Sequence, residues 1–166
     1  GVSPRPAAAH ATLQQFSGGL RVLTDSTGVA LPEALHNEFP GCGGDGPQAA
    51  LKLQLTFDLL TGSIERLTCQ AGRAADQAYD GHLQNLRPEA LYVSDLGYFV
   101  LRHFQQIIEQ RAYFLSRFDL KTAVFDPSTG VRLDLLTWLQ AQTNPTVETH
   151  WLVGVQEKLA CRVIVL

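Results

Sequence analysis

The sequence predicts an α/β protein in which a mixed β-sheet carries flanking helices and is followed by a β-rich segment. Two alternating apolar and polar runs, 51–60 and 64–70, are separated by a short turn and form an antiparallel hairpin. Further along, the buried strand 91–93 leads through a turn into an amphipathic helix. After Phe118, short apolar runs alternate with turn residues. A hairpin followed by a strand–helix–strand unit indicates a mixed sheet with helices packed on it.

Length and composition limit the classes of protein to consider. A chain of 166 residues can form one domain with a substantial core, or one domain and a small appendage. The net charge of −3 argues against a protein that binds nucleic acid by bulk electrostatics alone, although a local basic groove remains compatible with it. Cys42, Cys69 and Cys161 lack the spacing of a metal site and indicate free thiols in a reducing compartment. No apolar run reaches the roughly 18 residues of a membrane span.

The first part of the chain contains one strand between two irregular stretches. Residues 1–18 are rich in Ala and Pro and predict a linker, or the tail of an N-terminal domain that lies outside this sequence. Residues 20–24 predict a short strand that ends at Asp25, and 31–39 predict one or two helical turns. The Gly-rich stretch 40–47 predicts a flexible loop, because it lacks the Gly-Lys-Ser/Thr ending of a phosphate-binding loop.

The middle of the chain completes the predicted core, residues 19–118. Residues 74–84 predict a helix between the hairpin and the strand at 91–93. A second helix is predicted at 98–110 and a further strand at 112–118. The strand–helix–strand crossover makes the strands around it parallel near-neighbours.

Residues 119–166 predict a β-rich insertion with turns that contain Pro, Gly and Asn. A short helix is compatible with 135–142. The predicted apolar segments are 122–125, 131–136, 151–155 and 161–166.

Two aspartates, Asp25 and Asp95, each follow a predicted strand. Chemistry in open α/β sheets is usually located at the carboxyl ends of strands. If the two strands are neighbours, both side chains lie at one edge of the sheet, where carboxylates can bind Mg²⁺ together with water. The alternative, which the spacing leaves open, is that each Asp forms a turn or caps a helix.

Four blocks of sequence together resemble the DDE transposases of bacterial insertion sequences, of the IS-four type. The resemblance extends from about residue 14 to the end of the chain. The second half of the pattern, an apolar strand, an Asp, a Gly-aromatic pair and a helix that leads to a strand with Arg, is the more specific part. The blocks are LTDST with GVALPEAL, FPGCGG with ALKLQLTFDLLTGSI, LYVSDLGYF, and AYFLSRF.

The resemblance implies a ribonuclease-H-like fold with a β-rich insertion after its fifth strand. It implies metal-dependent cleavage and strand transfer of DNA, with Mg²⁺ or Mn²⁺ as the cofactor. Asp25 is then the first catalytic and metal-binding carboxylate and Asp95 the second, while Arg117 contacts a DNA phosphate. A surface salt bridge of Arg117 to Asp119 or Glu109 is the alternative. The implied partners are transposon-end and target DNA and a second copy of the full-length protein, in the bacterial cytoplasm and without a membrane.

The chain also departs from the family pattern. Ser26 stands where the family usually has Gly, and the third catalytic carboxylate, a Glu on a helix after the insertion, has no match. Glu157 lies in a predicted hairpin turn and is not a candidate. We therefore expect a core fragment that ends before the catalytic Glu helix, binds metal weakly and does not transpose alone.

Two other functions remain open at this point. The first is a non-catalytic transposase remnant that acts as a structural or DNA-associating domain. The second is an unrelated α/β nuclease, which requires a third carboxylate from Asp58, Asp76 or Asp80.

Overall fold

The computed structural model describes residues 20–166, with side chains from residue 24 onward. The predicted linker at 1–18 lies outside the described residues. The chain divides into two compact units, of which the first ends at Arg117 and the second runs from Phe118 to Leu166. Neither unit contains, among the described residues, a helix long and apolar enough to be a candidate membrane span.

The first unit is built on a mixed sheet in the order β3-β2-β1-β4-β5. β2 is antiparallel to both β1 and β3, whereas β4 is parallel to both β1 and β5. The predicted α/β class and mixed sheet are therefore confirmed. The strands are β1 (Leu20–Leu31), β2 (Ala49–Asp58), β3 (Ser63–Ala71), β4 (Leu91–Ser94) and β5 (Tyr113–Ser116).

β1 is longer than the sequence predicts. The prediction ended it at Thr24, but the strand continues to Leu31 because β2 pairs with it along its whole length. Its pairing with β4, in contrast, stops at Thr24, opposite Ser94. Asp25 therefore lies inside β1 and is the first residue beyond the parallel part of the ladder. A sequence pattern cannot reveal how far a distant strand extends a ladder.

The predicted helix at 74–84 is wrong. The segment forms two short 3-10 turns, Asp76–Ala78 and Gly81–Leu83, with extended backbone between them at Tyr79. Two tertiary features compete with a regular helix here. The Asp76 carboxylate is hydrogen-bonded to β2, and the Tyr79 ring occupies the space beside Gly81.

The helix after β4 forms, with a later start than predicted. A 3-10 turn, Leu96–Tyr98, precedes helix α1, Leu101–Glu109. α1 buries His103, Phe104 and Ile107, which the 3.6-residue period places on one face. This face packs against β5, where Phe104 stacks on Phe114. Elsewhere in the same unit the buried positions of β2 are unusually polar for a core: Gln54, Thr56 and Asp58.

The second unit is a small antiparallel sheet with a short helix. Val124, Trp151, Val153 and Leu159 form its buried core. Within the apolar segment 131–136 only Arg132 forms a bridge, to Phe125. Asp134 caps a helix that begins at the next residue, in agreement with the short helix that the sequence allowed at 135–142. The elements are β6 (Val124–Phe125), helix α2 (Leu135–Gln140), β7 (Val147–Val153) and β8 (Leu159–Val165), in the sheet order β6-β7-β8.

Candidate catalytic carboxylate site

The parallel strands bring the predicted site residues to one end of the first sheet. Thr24 of β1 pairs with Ser94 of β4, and Ser94 pairs with Ser116 of β5. The next residue along each strand is a predicted site residue. These three residues, all exposed, are Asp25, Asp95 and Arg117. These three residues come to the same end of the sheet because their strands are neighbours with a shared register, although they are far apart in the sequence.

Backbone amides hold one oxygen of each aspartate. Asp95 Oδ1 accepts a hydrogen bond from the Gly97 N–H at 2.9 Å and caps the 3-10 turn that follows β4. Asp25 Oδ1 accepts one from the Ser26 N–H at 2.8 Å. The turn-capping alternative therefore describes part of what Asp95 does. These bonds also orient both carboxylates at the end of the sheet.

Asp76 is a third acidic residue near this end of the sheet. The sequence analysis considered it only as a possible third carboxylate of an unrelated α/β nuclease. Its Oδ1 accepts hydrogen bonds from Ser26 Oγ at 3.0 Å, Lys52 Nζ at 3.1 Å and Gln54 Nε2 at 3.0 Å. Burial favours the protonated acid, but these hydrogen bonds and the charge of Lys52 hold the pKa of Asp76 below its usual range. The signal in the sequence was the polar face of β2, which contains Lys52 and Gln54, while the intervening leucines lie on the opposite face.

Tyr98 connects this cluster to the Asp95 turn. Its hydroxyl donates to Oε1 of Gln54, a side chain that is 0% exposed. The pKa of Tyr98 is raised to about 12, mainly by burial. The negative charges of Asp76, Asp25 and Asp95 also raise this pKa, whereas a hydrogen bond with Ser26 lowers it. The phenol thus stays protonated, as it must to donate to Gln54, and it is within electrostatic reach of all three carboxylates.

Gly97 lies between two of these carboxylates. A Cβ at this position would be 3.1 Å from Asp95 Oδ1 and 3.5 Å from Asp76 Oδ2. The distance to Asp95 is tighter than an ordinary van der Waals contact. The turn after β4 therefore requires a small residue if both carboxylates are to keep their positions.

We expect Gly97→Ala to destabilise the first unit by about 1–3 kcal/mol, because the added methyl group must displace a hydrogen-bonded carboxylate. Thermal unfolding followed by circular dichroism measures this change. Gly28→Ala is the matched control, since a Cβ on Gly28 has no neighbour within 4 Å. Equal effects of the two substitutions would show that Gly97 has no special packing role.

The donor chemistry at this end of the sheet is that of carboxylate oxygens, which suit hard divalent cations. Among residues 20–166, no group of three His, Cys, Asp or Glu side chains is placed to hold a metal ion. Mg²⁺ commonly uses only one or two protein carboxylates and completes its coordination with water and substrate phosphates. Asp25 and Asp95 are two carboxylates of this kind, and the described residues do not group a third potential ligand with them, which the alternative nuclease would require.

Arg117 is exposed and follows β5 directly. Within residues 20–166 it forms no ion pair with Glu109, which instead accepts a hydrogen bond from Gln105. Ser116 Oγ donates to the Arg117 carbonyl at 3.0 Å. Arg117 therefore lies at the same end of the sheet as the two aspartates, and its guanidinium does not pair with Glu109.

The chain belongs to the transposase DDE domain family, whose model matches residues 17–153. The bacterial insertion-sequence transposase resemblance is thereby confirmed at the level of the family.

Individual relatives point to the same class. The chain is 31% identical to the transposase for insertion sequence element IS231D of Bacillus thuringiensis subsp. finitimus over 179 aligned positions, which cover 96% of this chain and 37% of the relative. It is 35% identical to the IS231B transposase of Bacillus thuringiensis subsp. berliner over 107 residues, which cover 64% of this chain and 22% of the relative. It is 28% identical to the IS1151 transposase of Clostridium perfringens over 63% of this chain and 22% of the relative. The chain thus spans well under half the length of these relatives.

Proposed function

We propose that this chain is the part of a transposase catalytic domain that contributes two metal-binding carboxylates, Asp25 and Asp95, to DNA strand cleavage and strand transfer. The observation that carries the proposal is the parallel register of β1 and β4, which makes these residues neighbours at one sheet end. The sheet order, three antiparallel strands followed by two parallel ones, supports a ribonuclease-H-like fold for the first unit.

Each side chain has a separate task in this proposal. Asp25 and Asp95 bind the cation, and the amides of Ser26 and Gly97 keep their carboxylates oriented. A bound Mg²⁺ or Mn²⁺ supplies Lewis acidity to a phosphate and activates a hydroxyl nucleophile. Arg117, on the neighbouring strand end, binds a backbone phosphate and fixes the register of the DNA.

The partners of the proposed function follow from the family. They are the DNA of transposon ends and target sites and, for the full-length protein, a second copy of itself. An exposed Arg beside two carboxylates suits this substrate, because the cation and the guanidinium together neutralise phosphate charge that the carboxylates alone would repel. The proposed setting is the bacterial cytoplasm.

The second candidate function is a non-catalytic transposase remnant that keeps a structural or DNA-associating role. It is favoured by the lack of a third carboxylate ligand among residues 20–166. Because two carboxylates and water hold Mg²⁺ less firmly than a complete acidic set, we propose that this chain alone binds metal weakly and does not transpose DNA.

Titration of Mn²⁺ into the chain by isothermal calorimetry distinguishes the two candidates. We expect saturable binding that weakens by at least about tenfold in Asp25→Ala and in Asp95→Ala, because either change removes half of the protein ligands. Asp80→Ala, which removes an exposed carboxylate elsewhere in the same unit, should retain binding. Absence of saturable binding, or binding indifferent to Asp95, would favour the remnant.

A further inference from the structure

We propose that Asp76 is a positioning residue for the carboxylate pair: it ties β1, beside Asp25, to the turn that follows Asp95. The proposal rests on the function proposed above, since it concerns the same pair. Asp76 is distant from both aspartates in sequence and lies in a segment whose only regular structure is two short 3-10 turns.

One oxygen of Asp76 collects hydrogen bonds from two strands. Ser26 of β1 and both Lys52 and Gln54 of β2 donate to Oδ1. Ser26 is also the residue whose backbone N–H binds Asp25 Oδ1. The hydroxyl and the amide of one residue therefore connect Asp76 to Asp25, so a shift of Asp76 is transmitted directly to the first carboxylate.

The other oxygen of Asp76 faces the Asp95 turn. Asp76 Oδ2 and Asp95 Oδ1 both lie within 3.5 Å of the position that a Cβ on Gly97 would occupy. A second connection runs through side chains, because Tyr98 donates to Gln54, and Gln54 donates to Asp76. Asp76 thus connects Asp25, through a chain of contacts, to the two residues that follow Leu96 in the Asp95 turn.

The charges indicate why Asp76 is a support and not a third ligand. Its Oδ1 already accepts three hydrogen bonds, and no set of three potential ligands is formed within the described residues. Lys52, whose side chain is only 17% exposed, pairs with Asp76 and also donates to the Ala74 carbonyl. Lys52 offsets one of the three nearby negative charges, which allows the other two to be left for a divalent cation.

The experiment compares Asp76→Ala with Asp76→Asn in the intact chain. The alanine loses all three hydrogen bonds, whereas the amide oxygen of asparagine can still accept from Ser26 and Gln54. Asp58→Ala is the control for destabilisation. Asp58 is buried on the face of β2 that carries Lys52 and Gln54, but its carboxylate accepts hydrogen bonds from the amides of Leu60 and Thr61 in the hairpin turn. Two quantities are measured, Mn²⁺ affinity by calorimetry and hydrogen exchange of the Gly97 amide by NMR.

We expect Asp76→Ala to weaken Mn²⁺ binding by about tenfold or more and to accelerate Gly97 exchange relative to the amides of β4, as loss of an orienting partner does at metal sites. Asp76→Asn should restore most of both quantities. Asp58→Ala should lower the melting temperature without either effect.

Three outcomes would overturn the proposal. They are unchanged Gly97 exchange in Asp76→Ala, equal acceleration in Asp58→Ala, and failure of asparagine to restore what alanine loses. If the unmodified chain binds no Mn²⁺, the proposed metal function fails. The exchange measurement then still decides whether Asp76 positions the Asp95 turn.

Discussion

Phe104→Ala is expected to destabilise the first unit by about 3–5 kcal/mol, a large fraction of the 5–15 kcal/mol by which domains are usually stable. Phe104 is 3% exposed on α1, and its ring stacks on Phe114 of β5 at a centroid distance of 4.3 Å. Phe99 contacts it edge-on at 5.3 Å. Because α1 is the crossover between β4 and β5, the cavity left by this substitution loosens the attachment of the crossover to the sheet.

Chemical denaturation followed by circular dichroism measures this effect. Ile108→Ala is the control on the same helix, because Ile108 is 43% exposed and its truncation should cost less than about 1 kcal/mol. A loss for Phe104→Ala no larger than that of the control would mean that α1 does not depend on the aromatic stack.

The second large effect is a loss of stability in mild acid that originates at His82. Burial, together with the charge of His103 and against the opposing charge of Asp80, lowers the pKa of His82 from its usual 6.5 to about 4. Burial also lowers the pKa of His103, with Arg102 adding to the shift and Asp80 opposing it. The two imidazole rings lie 5.2 Å apart, and His82 also contacts the rings of Tyr79 and Tyr98.

The direction follows from proton binding. Between pH 6.5 and about 4 the unfolded chain protonates His82 while the folded chain keeps it neutral, so the free energy of unfolding falls as the pH falls. The full contribution of His82 is about 3 kcal/mol at 1.36 kcal/mol per pKa unit. This contribution is fully present at pH values above 6.5, the pKa of His82 in the unfolded chain. It is lost once the pH falls below about 4, the pKa of His82 in the folded chain.

Thermal unfolding from pH 8 to pH 4 checks this expectation with His82→Phe, which keeps an aromatic ring in the cluster and cannot titrate. The variant should have a shallower pH dependence than the unmodified chain, with the difference greatest near pH 4 and with the contribution of His103 remaining. Parallel curves for the two proteins would exclude His82 as the origin.

Local pattern was sufficient for most strands of the fold. The alternation of leucines with Lys52 and Gln54 predicted β2, and the run at 91–93 followed by an amphipathic stretch predicted β4 and α1. These elements are encoded in the order of apolar and polar residues, because each has one face toward a core. The position of Asp95 after a strand followed from the same patterns, whereas the strand predicted at 112–118 included Arg117, which in the structure follows the end of β5.

The failures occurred where long-range contacts override local preference. Residues 74–84 have a composition suited to a helix, but the hydrogen bonds of Asp76 and the packing of Tyr79 hold them in separate turns. The length of β1 was set by β2 and could not be read from residues 20–24 alone.

The sequence by itself determined the α/β class, the hairpin, the strand–helix–strand unit and the position of Asp95 directly after a strand, because these depend on periodicity and on residues adjacent in the chain. Only the tertiary structure decided that β1 and β4 are parallel neighbours whose register ends at Thr24 and Ser94, the residues directly before Asp25 and Asp95. It alone also placed Asp76 between them, since hydrogen bonds from Ser26, Lys52 and Gln54 join residues that are 22 to 50 positions apart. Contacts over such separations leave no periodic trace in a single sequence, because they depend on how the strands are ordered in space.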